Sequence, residues 1–292
     1  MGSDTAAQTS AREAAQQPEI TVHASLRVER LAGVAEVVLT GPGKGNSMGP
    51  DFWREMPEIF TALDQDTAVR AVIVRGEGDH FSYGLDLPAM MSQPGLQVAG
   101  DNLAAERTAF LDQIGRMQQA CSGVAQCRKP VIAAVAGWCI GGGLDLIAAC
   151  DVRLCAADAR FSLREVKLAI VADIGSLQRL PAIIGQGNTR ELALTGKDID
   201  AARALRMGLV NEVFESPPAL LAAARAMARQ IAANPPLVVQ GTKRVLNESQ
   251  GHTVEEGLRY VALWNAAFLQ SHDLREAFAA FVERRTPDYQ GR

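Results

Sequence analysis

The chain has no Cys-x-x-Cys pair, no long apolar run and no surplus of positive charge, and each lack removes a class of function. Its five cysteines (Cys121, Cys127, Cys139, Cys150, Cys155) are an odd number. Most sit in apolar runs, so buried reduced thiols and a reducing compartment are the expectation. No apolar run reaches the roughly 18 to 20 residues that a membrane helix needs. A formal net charge of -4 gives no reason to expect nucleic acid or an anionic membrane as partner. Histidine is scarce, at four residues, and the four suit neither a metal site nor a Ser–His pair beside the glycines described below. The opening MGSDTAAQTSAREAAQQPE lacks the apolar core of a secretory signal, and its acids and single arginine argue against a transit peptide. Residues 1–19 are expected to be a mobile tail, and the protein to be cytoplasmic.

What is present is enough for a large core. The 292 residues are 48% hydrophobic and 21% charged, an ordinary globular balance that can bury a sizeable interior. Alternation predicts strands over Ile20–Val28 and Ala35–Thr40, then a turn-rich GPGKGNSMGP and a helix over Asp51–Leu63 with Asp51 as its N-cap. A strand over Ala71–Val74, the loop GEGDHFSYGLDL, a helix over Asn102–Cys127 and a strand over Val131–Val135 follow. This recurring β-to-α order predicts an α/β fold with a helix-covered sheet. From Asn188 onward the pattern is mainly helical. Glu215-Ser216-Pro217-Pro218 marks a boundary between a core (20–215) and a helical region (216–292), whose apolar faces pack on another subunit or back over the core.

The most informative stretch is Val131–Pro181, VIAAVAGWCIGGGLDLIAACDVRLCAADARFSLREVKLAIVADIGSLQRLP. An apolar strand runs into Gly137, Gly141, Gly142 and Gly143, then into an apolar helix carrying one acid, Asp145. Glycines before a helix can present unpaired N–H groups to a negative oxygen, or can simply allow close packing. Their spacing fits neither a dinucleotide nor a P-loop fingerprint. A second candidate donor loop is Phe81–Asp86, where Gly84 permits an unusual turn. Glu165 and Asp173 bring the acids in this largely aliphatic stretch to three, and acids in such surroundings are costly unless paired or neutralised. Each has a local alternative. Asp145 could serve its helix N-terminus, Glu165 could pair with Arg164 or Lys167, and Asp173 could cap a helix starting near Gly175. Together, beside two glycine loops, they point to proton transfer on a polarised carbonyl.

Four long motifs carry a resemblance: HFSYGLDL (80–87), the stretch from Lys129 to Gly185, ELALTGKDIDAARALRMGLVNEVF (191–214) and DLREAFAAFVERRTPDY (273–289). They resemble the crotonase (enoyl-CoA hydratase/isomerase) superfamily over about residues 20 to 290. The resemblance implies a spiral of ββα turns, a C-terminal helical trimerisation region and a homotrimer or dimer of trimers. It also implies an acyl-CoA thioester substrate, with coenzyme A part of the substrate and no separate cofactor or metal. The backbone N–H groups of Leu85 and Gly142 would form the oxyanion hole. The Tyr83 carbonyl would meet the adenine amine, and Lys44, Arg284 or Arg285 could reach phosphates. Hydratases of this superfamily have glutamate at the positions of Asp145 and Glu165, and commonly glycine at that of Asp173. The trio Asp145, Glu165 and Asp173 is similar to the dienoyl-CoA isomerase branch. That implies conversion of 3,5-dienoyl-CoA to 2,4-dienoyl-CoA in fatty-acid β-oxidation, with Asp173 as base at C2, Glu165 as acid at C6 and Asp145 assisting. An enoyl-CoA hydratase, a 3-enoyl to 2-enoyl isomerase and a non-catalytic acyl-CoA-binding or RNA-binding scaffold are the alternatives. The missing basic stripe disfavours RNA, and three acids in an apolar wall disfavour an inert scaffold.

Overall fold

A computed structural model describes residues 17–92 and 104–292; most of the expected tail, and the first two residues of the helix expected from Asn102, lie outside the described residues. Strands β1 (Glu19–Val22), β2 (Leu26–Leu31) and β3 (Val34–Leu39) form an antiparallel meander. The β2–β3 hairpin turns on Ala32 and Gly33, both at positive φ (49° and 80°), the geometry that matches strand twist in a two-residue loop. Helix α1 (Pro50–Gln65) begins on a proline, which costs nothing where the N–H has no helical partner. Asp51 is not the N-cap expected. Gly49 holds that position without a side-chain bond, and Asp51 lies in the first turn, paired with Arg54 at 2.5 Å.

Strand β4 (Ala71–Gly76) is followed by α2 (Leu87–Met91), α3 (Ala104–Gln126), β5 (Val131–Val135), β6 (Trp138–Ile140) and α4 (Gly142–Ala148). Then come β7 (Val152–Ala156), β8 (Arg160–Ser162), a 3-10 turn at Glu165–Leu168, α5 (Ser176–Thr195), β9 (Asp198–Asp200), α6 (Ala201–Arg206) and β10 (Glu212–Phe214). Helices α7 (Pro217–Ala232), α8 (Pro236–Glu248), α9 (Val254–Phe268) and α10 (His272–Glu283) close the chain. A seven-stranded sheet runs β1-β2-β3-β4-β5-β7-β10 and is parallel from β3 onward. A three-stranded sheet, β6-β8-β9, stands beside it. Two short strands, β9 and β10, interrupt the region that reads as helical after Asn188.

Strands buried on both faces need near-continuous apolar sequence, and β4 and β5 have it. Val72, Val74, Val131, Ala133 and Val135 face the main core with Phe52, Met56 and Phe60 of α1 and Cys121 and Val124 of α3. The alternate residues Ala71, Ile73, Ile132 and Ala134 lie under Leu220, Ala224, Ala228 and Ala232 of α7. Small residues every fourth position let that helix approach the sheet closely. The helical region beyond residue 215 therefore divides: α7 covers the core, while Leu258, Leu263, Phe278, Phe281 and Val282 on α9 and α10 are exposed. All five cysteines are buried and free.

Candidate active site

Two stretches meet at the sheet's edge. The Ser82 N–H donates to the Trp138 carbonyl at 2.9 Å and the Ile140 N–H to the Ser82 carbonyl at 3.0 Å, laying Phe81–Asp86 alongside β6. Gly84, at φ 80°, comes so close that a Cβ there would sit 2.6 Å from the Ile140 oxygen and 3.1 Å from the Gly142 nitrogen. Only glycine fits that approach. It brings the backbone of Leu85 beside the first turn of α4. Among the described residues, neither the Leu85 nor the Gly142 N–H donates to a protein acceptor. Both line a cavity of about 560 Å³ whose wall also holds Asp145, Glu165 and Asp173.

The three acids are held differently. Asp145, in the first turn of α4, is 1% exposed, and its Oδ1 accepts the Ser176 N–H at 2.6 Å. Burial pushes its pKa up to about 6, with Ser176 opposing. Glu165 opens the 3-10 turn and reaches back to the glycines. A Cβ on Gly141 would lie 3.1 Å from its Oε1, and its buried Oε2 has no hydrogen-bond partner. Burial, then the negative neighbours Asp145 and Asp173, push Glu165 up to about 7. Asp173 lies half-buried on the irregular segment before α5, and burial raises its pKa too. Its main-chain carbonyl accepts a hydrogen bond from Gln118 Nε2 of α3 at 2.7 Å.

The local alternatives for these acids do not hold. Gly175, not Asp173, precedes the first turn of α5, with no side-chain cap. The acid that reaches the α5 N-terminus is Asp145, not serving its own helix but one that starts 31 residues on. Arg164 makes a bidentate pair with Asp198, at 2.8 Å to each oxygen, and lies over the Trp138 ring. Among the described residues neither Arg164 nor Lys167 pairs with Glu165. Burial first, and the neighbouring negative charges second, favour the neutral form of Glu165, which makes it the acid most inclined to keep a proton near neutral pH.

Tyr83 stands at the cavity mouth, its ring over Gly45 and 5.1 Å from the His80 ring. The side chain of Lys44 lies outside the described residues. Arg285 is paired with Glu276 and Glu283, and Arg284 ends α10 in the left-handed conformation, so phosphate contact from Arg285 would compete with these pairings. Sequence reasoning missed Ser176 and Gln118, which touch the acids from 31 and 55 residues away and carry no local signal.

The family described as enoyl-CoA hydratase/isomerase matches residues 29–292. This chain belongs to that family. Among its curated relatives, the mitochondrial delta(3,5)-delta(2,4)-dienoyl-CoA isomerase of Dictyostelium discoideum is 47% identical over 274 residues, 92% of each chain. The peroxisomal delta(3,5)-delta(2,4)-dienoyl-CoA isomerase of Arabidopsis thaliana is 43% identical over 258 residues, covering 88% of this chain and 93% of that one. Among solved structures, a putative enoyl-CoA hydratase from Streptomyces coelicolor A3(2) superimposes with a TM-score of 0.84 at 31% identity, covering 95% of this chain and 97% of the other. The expected crotonase-like α/β fold is thus the fold of a solved family relative. The cytoplasmic expectation gains no support, since both named isomerases belong to organelles. Among the described residues no helix is long and apolar enough to cross a membrane.

Proposed function

We propose that the chain isomerises 3,5-dienoyl-CoA to 2,4-dienoyl-CoA. The observation that carries this is the convergence of three carboxyl groups, Asp145, Glu165 and Asp173, on a cavity that also presents the Leu85 and Gly142 amides; burial raises the pKa of Glu165 most, to about 7. The isomerase relatives at 43% and 47% identity support the same reading.

In the reaction, the ionised Asp173 takes a proton from C2 of the substrate. The C–H electron pair moves into a dienolate, and its oxygen carries charge between the two N–H groups; a donor of this kind is worth on the order of 100- to 1000-fold in rate. The double bonds shift one position towards the thioester, and C6 takes the proton of the Glu165 carboxylic acid. Two stations are needed because C2 and C6 lie too far apart along a conjugated chain for one short carboxyl group. After one turnover Asp173 is protonated and Glu165 ionised. A proton passes back from the first to the second, downhill if Glu165 remains the stronger base. Asp145, held on Ser176, stays in place and biases its neighbours by charge.

The hydratase alternative needs two acids on one water; here a third acid, Asp173, lines the same cavity, and one oxygen of Asp145 accepts the Ser176 N–H. For assembly, we take the exposed apolar side chains of α9 and α10 as the contact surface of a homotrimer or dimer of trimers. The decisive assay is incubation with a 3,5-dienoyl-CoA. Conjugation of the product with the thioester raises absorbance at longer wavelength, and folded protein that produces no such rise overturns the assignment. Parallel incubation with crotonyl-CoA tests hydration.

A further inference from the structure

The Asp173 carboxylate has, among the described residues, no side-chain hydrogen-bond partner, so its aim depends on its main chain. That main chain is irregular. Between the Ile170 N–H, which donates to the Glu165 main-chain carbonyl at 3.0 Å, and the start of α5, the segment forms no regular element. Two side chains hold it. Gln118 Nε2 donates to the Asp173 carbonyl at 2.7 Å, and Arg179 Nη1 makes a longer contact, 3.4 Å, to the Ile174 carbonyl. Arg179 in turn donates to Ser122 Oγ at 3.3 Å. Gln118 and Ser122 are one turn apart on α3, so a single helix face carries both anchors. Met117, the neighbour of Gln118, lines the cavity. The same turn of α3 thus supplies a cavity wall and the fixed point for an acid in that wall.

We propose that Gln118 is a positioning residue for Asp173: its amide fixes the carbonyl of that residue and so the carboxylate's approach to C2. This rests on the reading of Asp173 as the C2 base. Gln118 touches no reacting atom. Its bond is short and comes from a regular helix, so it transmits the rigidity of α3 to a segment with none of its own. Without it, the half-buried carbonyl can turn to water and the carboxylate can drift, and a displacement of about 1 Å can cost about 100-fold in rate.

The test uses the full chain with a 3,5-dienoyl-CoA, comparing wild type with Gln118→Leu and Gln118→Glu. Gln118→Leu is expected to lower kcat about 10- to 100-fold while KM stays within about threefold, because positioning acts on the reacting geometry. Gln118→Glu can donate to the carbonyl only when its own carboxyl is protonated. Its kcat relative to wild type should therefore recover as pH falls, a signature that loss of packing does not produce. If Gln118→Leu fails to fold, the pH response of Gln118→Glu decides alone. A kcat within about twofold of wild type in Gln118→Leu, or a Gln118→Glu profile parallel to wild type, overturns the inference while leaving the dienoyl assignment standing. A wild-type protein inactive on the dienoyl substrate overturns the assignment itself, and this inference with it.

Discussion

The Ser176 N–H donates to Asp145 Oδ1 at 2.6 Å, so a carboxylate from one helix occupies the N-terminus of another. That single bond fixes α4 against α5 and keeps an acid 1% exposed beside the cavity. It also has a cost. The pKa of Asp145 rises from 3.8 to about 6 on folding because burial disfavours the charged form. A raised acid binds its proton more readily in the folded state, so its contribution is most favourable below about pH 4 and is lost as pH climbs to about 6. At neutral pH the penalty is on the order of 3 kcal/mol.

Asp145→Asn should therefore stabilise the protein while weakening the enzyme. The amide oxygen still accepts the Ser176 N–H, and no charge remains to be buried. Thermal melting at pH 7.5 should rise by several degrees, about 2–4 °C per kcal/mol for a chain of this size, with the gain shrinking towards pH 4. Isomerisation should drop at least about tenfold as the neighbouring field is lost. A lower melting temperature at pH 7.5 would show that the carboxylate charge holds the helices together.

Asp173→Asn should act mainly on the chemistry, with at most a small gain in stability, because burial raises the pKa of this half-buried acid as well. The residue caps nothing, since Gly175 occupies the cap of α5, and its known anchor uses the main chain, which asparagine keeps. Turnover of 3,5-dienoyl-CoA should fall by about 100- to 10,000-fold, the usual worth of a positioned proton-transfer group. Melting at pH 7.5 should equal wild type or lie slightly above it, since a carboxylate disfavoured by burial is removed. Near-wild-type turnover would remove Asp173 from the mechanism.

What could be read from the chain and what could not divides by distance along it. The β5 strand, the glycines and all three acids lie within about fifty residues and announce themselves as apolar runs broken by Gly, Asp and Glu. The Gly84 loop was legible for the same reason. Asp173 before Gly175-Ser176 looks like an ordinary N-cap because local rules cannot know that an acid 31 residues earlier reaches Ser176 first. Strands β6, β8, β9 and β10, each three residues long, are too short for alternation to show. Gln118 is one of several glutamines on an amphipathic helix, and only the fold reveals which one meets Asp173.

The pH profile of kcat/KM should be bell-shaped, because the free enzyme needs Asp173 ionised and Glu165 protonated. Glu165 is pushed up to about 7, by burial first and by Asp145 and Asp173 second, so the alkaline limb should bend near neutrality and the rate should fall above it. The acid limb belongs to Asp173, whose pKa is raised by burial. Coupling between the acids means that both limbs report the group rather than single residues. Steady-state rates across about pH 5 to pH 9 with a 3,5-dienoyl-CoA check this; a flat alkaline side excludes Glu165 as the proton donor.

Gly84→Ala and Gly78→Ala separate backbone strain from the proposed amide pair. Both glycines have positive φ, 80° and 71°, so both alanine variants carry a conformational penalty of about 1 kcal/mol. Gly78 has open space around the added Cβ, and its variant should melt slightly lower while turning over normally. At Gly84 the added methyl would sit 2.6 Å from the Ile140 oxygen and 3.1 Å from the Gly142 nitrogen. The two stretches must part to admit it, and the Leu85 N–H moves away from that of Gly142. Isomerisation should fall by about 100-fold or more, comparable to removing one donor, with a larger loss of melting temperature than in Gly78→Ala. Equal activity in the two variants would mean that the amides of Leu85 and Gly142 do not act together on the thioester oxygen.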